Sequence, residues 1–76
     1  MKLSEVKDSS ACIYKLTFPD GKSYVGQTKD LCGRVKLYIL NYEQGKQTGV
    51  DRIISEFGLD GIEIDVLCRI VNLPEV

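Results

Sequence analysis

The five residues Phe18-Pro19-Asp20-Gly21-Lys22 constrain this chain more than any other stretch, because they specify a hairpin together with its register. Proline presets the first central position of a type I turn, aspartate suits the second, and glycine takes the left-handed position that closes a three-residue loop with a bulge. Phe18 then pairs with Lys22. Carried outward, that register sets Tyr14 opposite Gly26 and Leu16 opposite Tyr24, so both tyrosines share one sheet face as diagonal neighbours. A two-residue Asp-Gly loop would separate the phenols, since a slip of one residue inverts a strand.

The rest of the chain follows from periodicity. Residues 1–10 are polar, mixed in charge and aperiodic, and read as a flexible lead-in or a first short turn ahead of a domain spanning 11–76. Ala11 to Phe18 and Lys22 to Thr28 are strand-like, rich in aromatic and β-branched residues. Thr28 offers a hydroxyl cap to a helix from about Asp30 to Tyr42, whose apolar stripe is Leu31, Val35, Tyr38, Ile39 and Tyr42, and Gly45 ends it. A second helix is expected from about Gly49 to Phe57, with Val50, Ile53, Ile54 and Phe57 inward and Gly58 as its stop. Ile62, Ile64, Val66, Cys68 and Ile70 alternate against Glu63, Asp65, Leu67 and Arg69 as a third strand, interrupted at Asn72-Leu73-Pro74. The order β-β-α-α-β, without repeat or linker, gives an α/β chain of the α+β kind: a small three-stranded, mainly antiparallel sheet flanked by helices.

At 76 residues this is one small domain, near the size where a single core is barely sufficient, so a partner or a further C-terminal segment is to be expected. A net charge of −1 argues against a general polyanion binder, but Lys22, Lys29, Arg34, Lys36, Lys46 and Arg52 fall mainly between the hairpin and the middle of the chain, ahead of the acids at Glu56, Asp60, Glu63, Asp65 and Glu75, and leave room for a local basic patch. Cys12, Cys32 and Cys68 are far apart and there is no histidine, which excludes the common zinc patterns. Three unpaired cysteines point to a reducing, intracellular and cytoplasmic setting with mostly buried thiols. No apolar run is long enough to cross a bilayer, so no membrane partner is expected.

The combination of Cys12-Ile13-Tyr14, a hairpin, Tyr24-Val25-Gly26, the turn Gly26 to Leu31 and Arg34 resembles the GIY-YIG nuclease family over nearly the whole chain. Cysteine replaces the usual glycine of the first motif. The stretch from Ile54 to Leu67 is similar to that family's second helix, loop and third strand. The resemblance implies metal-dependent hydrolysis of DNA phosphodiesters with Tyr14, Tyr24, Arg34 and Tyr38 as catalytic residues. Gly26, Lys29 and Lys36 would lie against substrate, and magnesium or manganese would be the cofactor. Tyr14 would serve as base or water-positioning group; a free phenol titrates near about 10, so the metal and Arg34 would have to lower it. Tyr24 would share its hydrogen-bond network, and the Arg34 fork would hold two phosphate oxygens. Tyr38, at i+4 from Arg34, would donate to phosphate or assist proton transfer.

Each residue alone has a plainer reading. Strand tyrosines usually cap a core, a lone helical arginine is usually a solvated charge, and Tyr38 falls on the apolar stripe. Tyr42 is assigned to packing, and Glu63 with Asp65 to a solvent face. The metal-binding glutamate that the family carries on a helix after the third strand has no counterpart here; Glu75 lies too early, and Glu56 is the other carboxylate to consider. Two expectations result: an incomplete nuclease domain, weakly active or inactive by itself, or a catalytically silent module that binds nucleic acid or protein.

Overall fold

The computed structural model describes residues 1–47 and 49–70. Its elements are β1 (Cys12–Thr17), β2 (Ser23–Thr28), α1 (Leu31–Glu43), α2 (Val50–Phe57) and β3 (Glu63–Arg69), with short 3-10 turns at Leu3–Glu5 and Leu59–Gly61. The sheet is antiparallel throughout, in the order β2-β1-β3. The hairpin has the register its turn residues dictate. Tyr14 faces Gly26 and Leu16 faces Tyr24. The Phe18 amide donates to the Lys22 carbonyl at 2.9 Å, and Gly21, at φ +88°, donates to the Phe18 carbonyl at 3.0 Å.

One sheet face is covered and the other is open. Tyr14, Leu16 and Ile64 point inward and pack with Leu31 and Val35 of α1 and Ile54 of α2 into one buried cluster. Phe18 of the turn stacks on Phe57, with ring centroids 6.3 Å apart. Tyr42, assigned to packing, is instead 37% exposed, although Ile39 of the same stripe packs against the cluster.

The alternation of β3 breaks at a bulge. Ile13 pairs with Cys68 but Tyr14 pairs with Val66, so Leu67 is the extra residue. The bulge shifts every later side chain to the opposite face. Cys68, expected inward, is therefore exposed, and Arg69 instead stands opposite buried Cys12. Asn72, Leu73 and Pro74, expected to end the strand, lie outside the described residues.

The first ten residues are more than a lead-in. Leu3 and Val6 are buried in the core, Lys2 bridges to Glu63, and the Ile64 amide donates to the Met1 carbonyl at 2.8 Å. This segment also completes α1. The first amides of a helix lack intrahelical partners; here Leu31 donates to the Ser10 carbonyl at 3.2 Å and Cys32 to the Asp8 carbonyl at 2.9 Å.

Candidate active site

Three tyrosines converge at the junction of β1, β2 and α1. Tyr14 projects from the central strand into the core and Tyr38 from α1 toward it, and their hydroxyls lie 2.5 Å apart in a buried hydrogen bond. Their rings meet edge to face at 6.5 Å between centroids. Tyr24, on the edge strand, packs against Tyr14 at the same centroid separation of 6.5 Å, on the same face. The three differ in access: Tyr14 is 2% exposed and Tyr38 5%, whereas Tyr24 is 41% exposed.

Gly26 makes this arrangement possible. A Cβ at that position would sit 2.6 Å from Tyr14 Oη and 2.9 Å from Tyr24 Cε2. The absent side chain is the space the two rings occupy.

Burial sets the chemistry of the phenols. It pushes Tyr14 up from the ordinary phenol value, opposed by the hydrogen bond shared with Tyr38 and by the nearby Arg34 guanidinium. It pushes Tyr38 further up, reinforced by that same hydrogen bond with Tyr14, while Arg34 again opposes. The cation therefore lies within electrostatic reach of both hydroxyls but does not overcome desolvation. The lowered Tyr14 pKa required of a base is not found among the described residues; both phenols are neutral at physiological pH. A pair of neutral hydroxyls sharing one hydrogen bond retains one O–H to donate elsewhere.

Arg34 also lines a cleft of about 650 Å3 with Gln27, Thr28, Lys29, Asp30, Gly33 and Leu37. This cleft surrounds the start of α1, whose amides are already engaged. Asp30, rather than Thr28, is the N-cap: its carboxylate accepts from the Gly33 amide at 3.0 Å. Thr28 Oγ1 instead accepts from the Asp30 amide at 3.2 Å and donates to the Asp30 carbonyl at 3.1 Å. With Leu31, Cys32 and Gly33 amides all satisfied, attraction of an anion into the cleft rests on Arg34 and Lys29 rather than on the helix terminus. Lys36, two residues beyond Arg34, is on a different side of α1 and does not line the cleft.

The carboxylates do not gather. Among the described residues no group of three His, Cys, Asp or Glu side chains comes together. Glu56 stands on α2 beside a second groove that includes Tyr24, and Glu75 lies outside the described residues. Buried Oδ1 atoms of Asn41 and Asp51 are unpartnered among the described residues, but they belong to the contact between α1 and α2. The described side chains alone do not fit a divalent cation. The hairpin register read from the sequence set Tyr14, Tyr24 and Gly26 together, and the structure adds Tyr38 to them while Arg34 lines the separate cleft at the start of α1; sequence reasoning missed Asp30, whose Asp at the residue before an apolar stripe is the ordinary signal of a cap.

Comparison of the chain with models of protein families, with curated proteins and with solved structures finds no match in any of the three. No helix among the described residues is long and apolar enough to cross a membrane.

Proposed function

We propose that this chain is a nuclease-type domain of the GIY-YIG kind that engages the DNA phosphodiester backbone at Arg34, with Tyr14, Tyr38 and Tyr24 forming the wall behind the phosphate. The observation that carries this reading is the position of Arg34. It is at once within electrostatic reach of the Tyr14–Tyr38 pair and on the wall of the 650 Å3 cleft. A guanidinium there can hold two phosphate oxygens in its planar fork.

Hydrolysis by these residues alone is expected to be weak, because a neutral Tyr14 orients and donates rather than abstracts a proton. The buried phenol pair also favours a second reading, a module that binds nucleic acid without cutting it. Magnesium or manganese is the cofactor proposed for cleavage.

The test measures binding and cutting together. Arg34→Ala is expected to weaken anisotropy-detected binding to a short DNA duplex several-fold more than Lys36→Ala, with a shallow salt dependence because few phosphates are touched. Plasmid nicking with magnesium or manganese is expected to be slight. Equal losses in the two variants, or no binding at low salt, would overturn the phosphate role of Arg34. Robust nicking abolished by chelation would instead turn attention to Glu56 or Glu75 as metal ligands.

A further inference from the structure

We infer that the outer edge of β2 is a dimerisation surface, on which a second copy of this chain pairs antiparallel with Val25 opposite Val25 to make one six-stranded sheet. The inference is independent of the phosphate reading. The bond of 2.9 Å from the Phe18 amide to the Lys22 carbonyl makes those two residues a hydrogen-bonded pair, and such pairs alternate with non-bonded ones along an antiparallel ladder. Leu16 with Tyr24 and Tyr14 with Gly26 are then the bonded pairs, so Ser23, Val25 and Gln27 turn their amides and carbonyls outward. Among the described residues no backbone bond from another segment reaches those groups.

The two edges of the sheet differ. β3 carries Glu63, Asp65 and Arg69, is bulged at Leu67, and is lined by the first residues, with Lys2 bridged to Glu63 and the Ile64 amide bonded to the Met1 carbonyl. Charges, bulges and covering segments all keep an edge from pairing. β2, with the sequence Ser23-Tyr24-Val25-Gly26-Gln27-Thr28, has no charge, no proline and an unbroken register with β1. Its Val25 is 56% exposed, more than any other large apolar side chain among the described residues. Leu37 of α1 shares a cleft with Gln27 and Thr28, so exposed Leu37 and, a helical turn on, exposed Leu40 overlook the same edge.

A second copy is the occupant these features select. Outward groups bond only to outward groups, and a two-fold axis at Val25 uses all of them: Val25 exchanges both bonds with its counterpart, and Ser23 exchanges both with Gln27. Val25 then covers Val25, Tyr24 stands opposite Gly26 of the other copy, and Lys22 lies opposite Thr28 and diagonal to Asp30. Opposite charges flank the ladder, and no like charges face each other within it. Strands of six residues, about 20 Å long, bury less together than the roughly 1,200 Å2 of stable complexes, so the dimer is a weak one. Because β3 is guarded, each copy offers one edge and the assembly closes at two.

Sedimentation of the full 76-residue chain under reducing conditions, from about 10 µM to 1 mM, spans the affinities of weak interfaces. A reversible monomer-dimer equilibrium is expected, and Val25→Lys, which sets two ammonium groups at the axis, should weaken it at least about ten-fold. The Val25 side chain faces solvent, so this variant should keep the wild-type urea midpoint. Disulfide capture in a Cys68→Ser background reads the register. Val25→Cys should cross-link under mild oxidation, because bonded antiparallel partners lie about 5.5 Å apart between Cα atoms, whereas Gln27→Cys, opposite Ser23, should not. A monomer at every concentration, a dimer indifferent to Val25→Lys, species larger than a dimer, or cross-linking of Gln27→Cys in preference to Val25→Cys would each overturn the pairing.

Discussion

The buried pair Tyr14–Tyr38 is both the centre of the candidate site and part of the core, so its hydroxyls carry a stability cost when either is removed. Tyr14→Phe or Tyr38→Phe leaves one buried hydroxyl without its 2.5 Å partner and is expected to cost about 1–3 kcal/mol in urea unfolding. The double variant should lose clearly less than the sum of the two, since neither hydroxyl is then stranded. Strict additivity would show that the two hydroxyls do not interact in solution. At Gly26 a methyl group meets Tyr14 Oη at 2.6 Å, and Gly26→Ala is expected to destabilise by about 1–3 kcal/mol through displacement of a buried ring. The juxtaposition of Tyr14, Tyr24 and Gly26 was legible in the sequence because a local turn fixes it. The direction of the phenol acidities was not, because it depends on how deeply α1 buries Tyr14 and Tyr38.

At the scale of elements, periodicity located every helix and strand and failed where one residue interrupts it. The bulge at Leu67 is such a place: the apolar alternation reads through it, but the pairing of Tyr14 with Val66 and Ile13 with Cys68 turns the end of β3 over. Thiol labelling of the native protein checks this. Cys68 should react quickly, whereas Cys12, buried and with its thiol pushed up by desolvation, should react only on the timescale of opening. Protection of Cys68 to the level of Cys12 would mean that the strand is unbulged. The start of α1 gives a second case. Thr28 and Asp30 are both capping residue types, and only the extended backbone of Asp30 lets its carboxylate reach Gly33. Asp30→Ala is expected to cost about 1 kcal/mol, and Thr28→Val, which keeps that cap, should leave the Asp30–Gly33 contribution in place.

The whole molecule is closed by contacts that join its first residues to β3, more than fifty positions away, which is why composition alone suggested no more than a flexible lead-in or a short turn. Asp8 meets Arg69 in an ion pair and accepts from both Ser10 groups, and Glu63 lies 3.2 Å from the terminal ammonium and 3.3 Å from Lys2 Nζ. Hydrogen bonds from Ser10 first, and Arg69 after them, hold the Asp8 carboxyl below its ordinary range; the terminal ammonium, then Lys2, do the same for Glu63. A carboxyl depressed in the folded state contributes stability above its unfolded value of about 4 and loses that contribution as pH falls through the folded value. Exposure keeps this acid effect small. The phenols act in the opposite sense. Tyr14 and Tyr38 are raised, so the fold favours their neutral forms; their contribution is complete below about pH 10 and is lost as pH rises beyond it. Urea midpoints should therefore be level between pH 5 and 9, decline gently below about pH 4 and fall more steeply above about pH 10. Replacing Asp8 by Asn together with Glu63 by Gln should flatten the acid limb only, and the double Tyr→Phe variant should flatten the alkaline limb only. An alkaline limb unchanged in that double variant would mean that the phenols are not buried together, and the site built on them would fall with it.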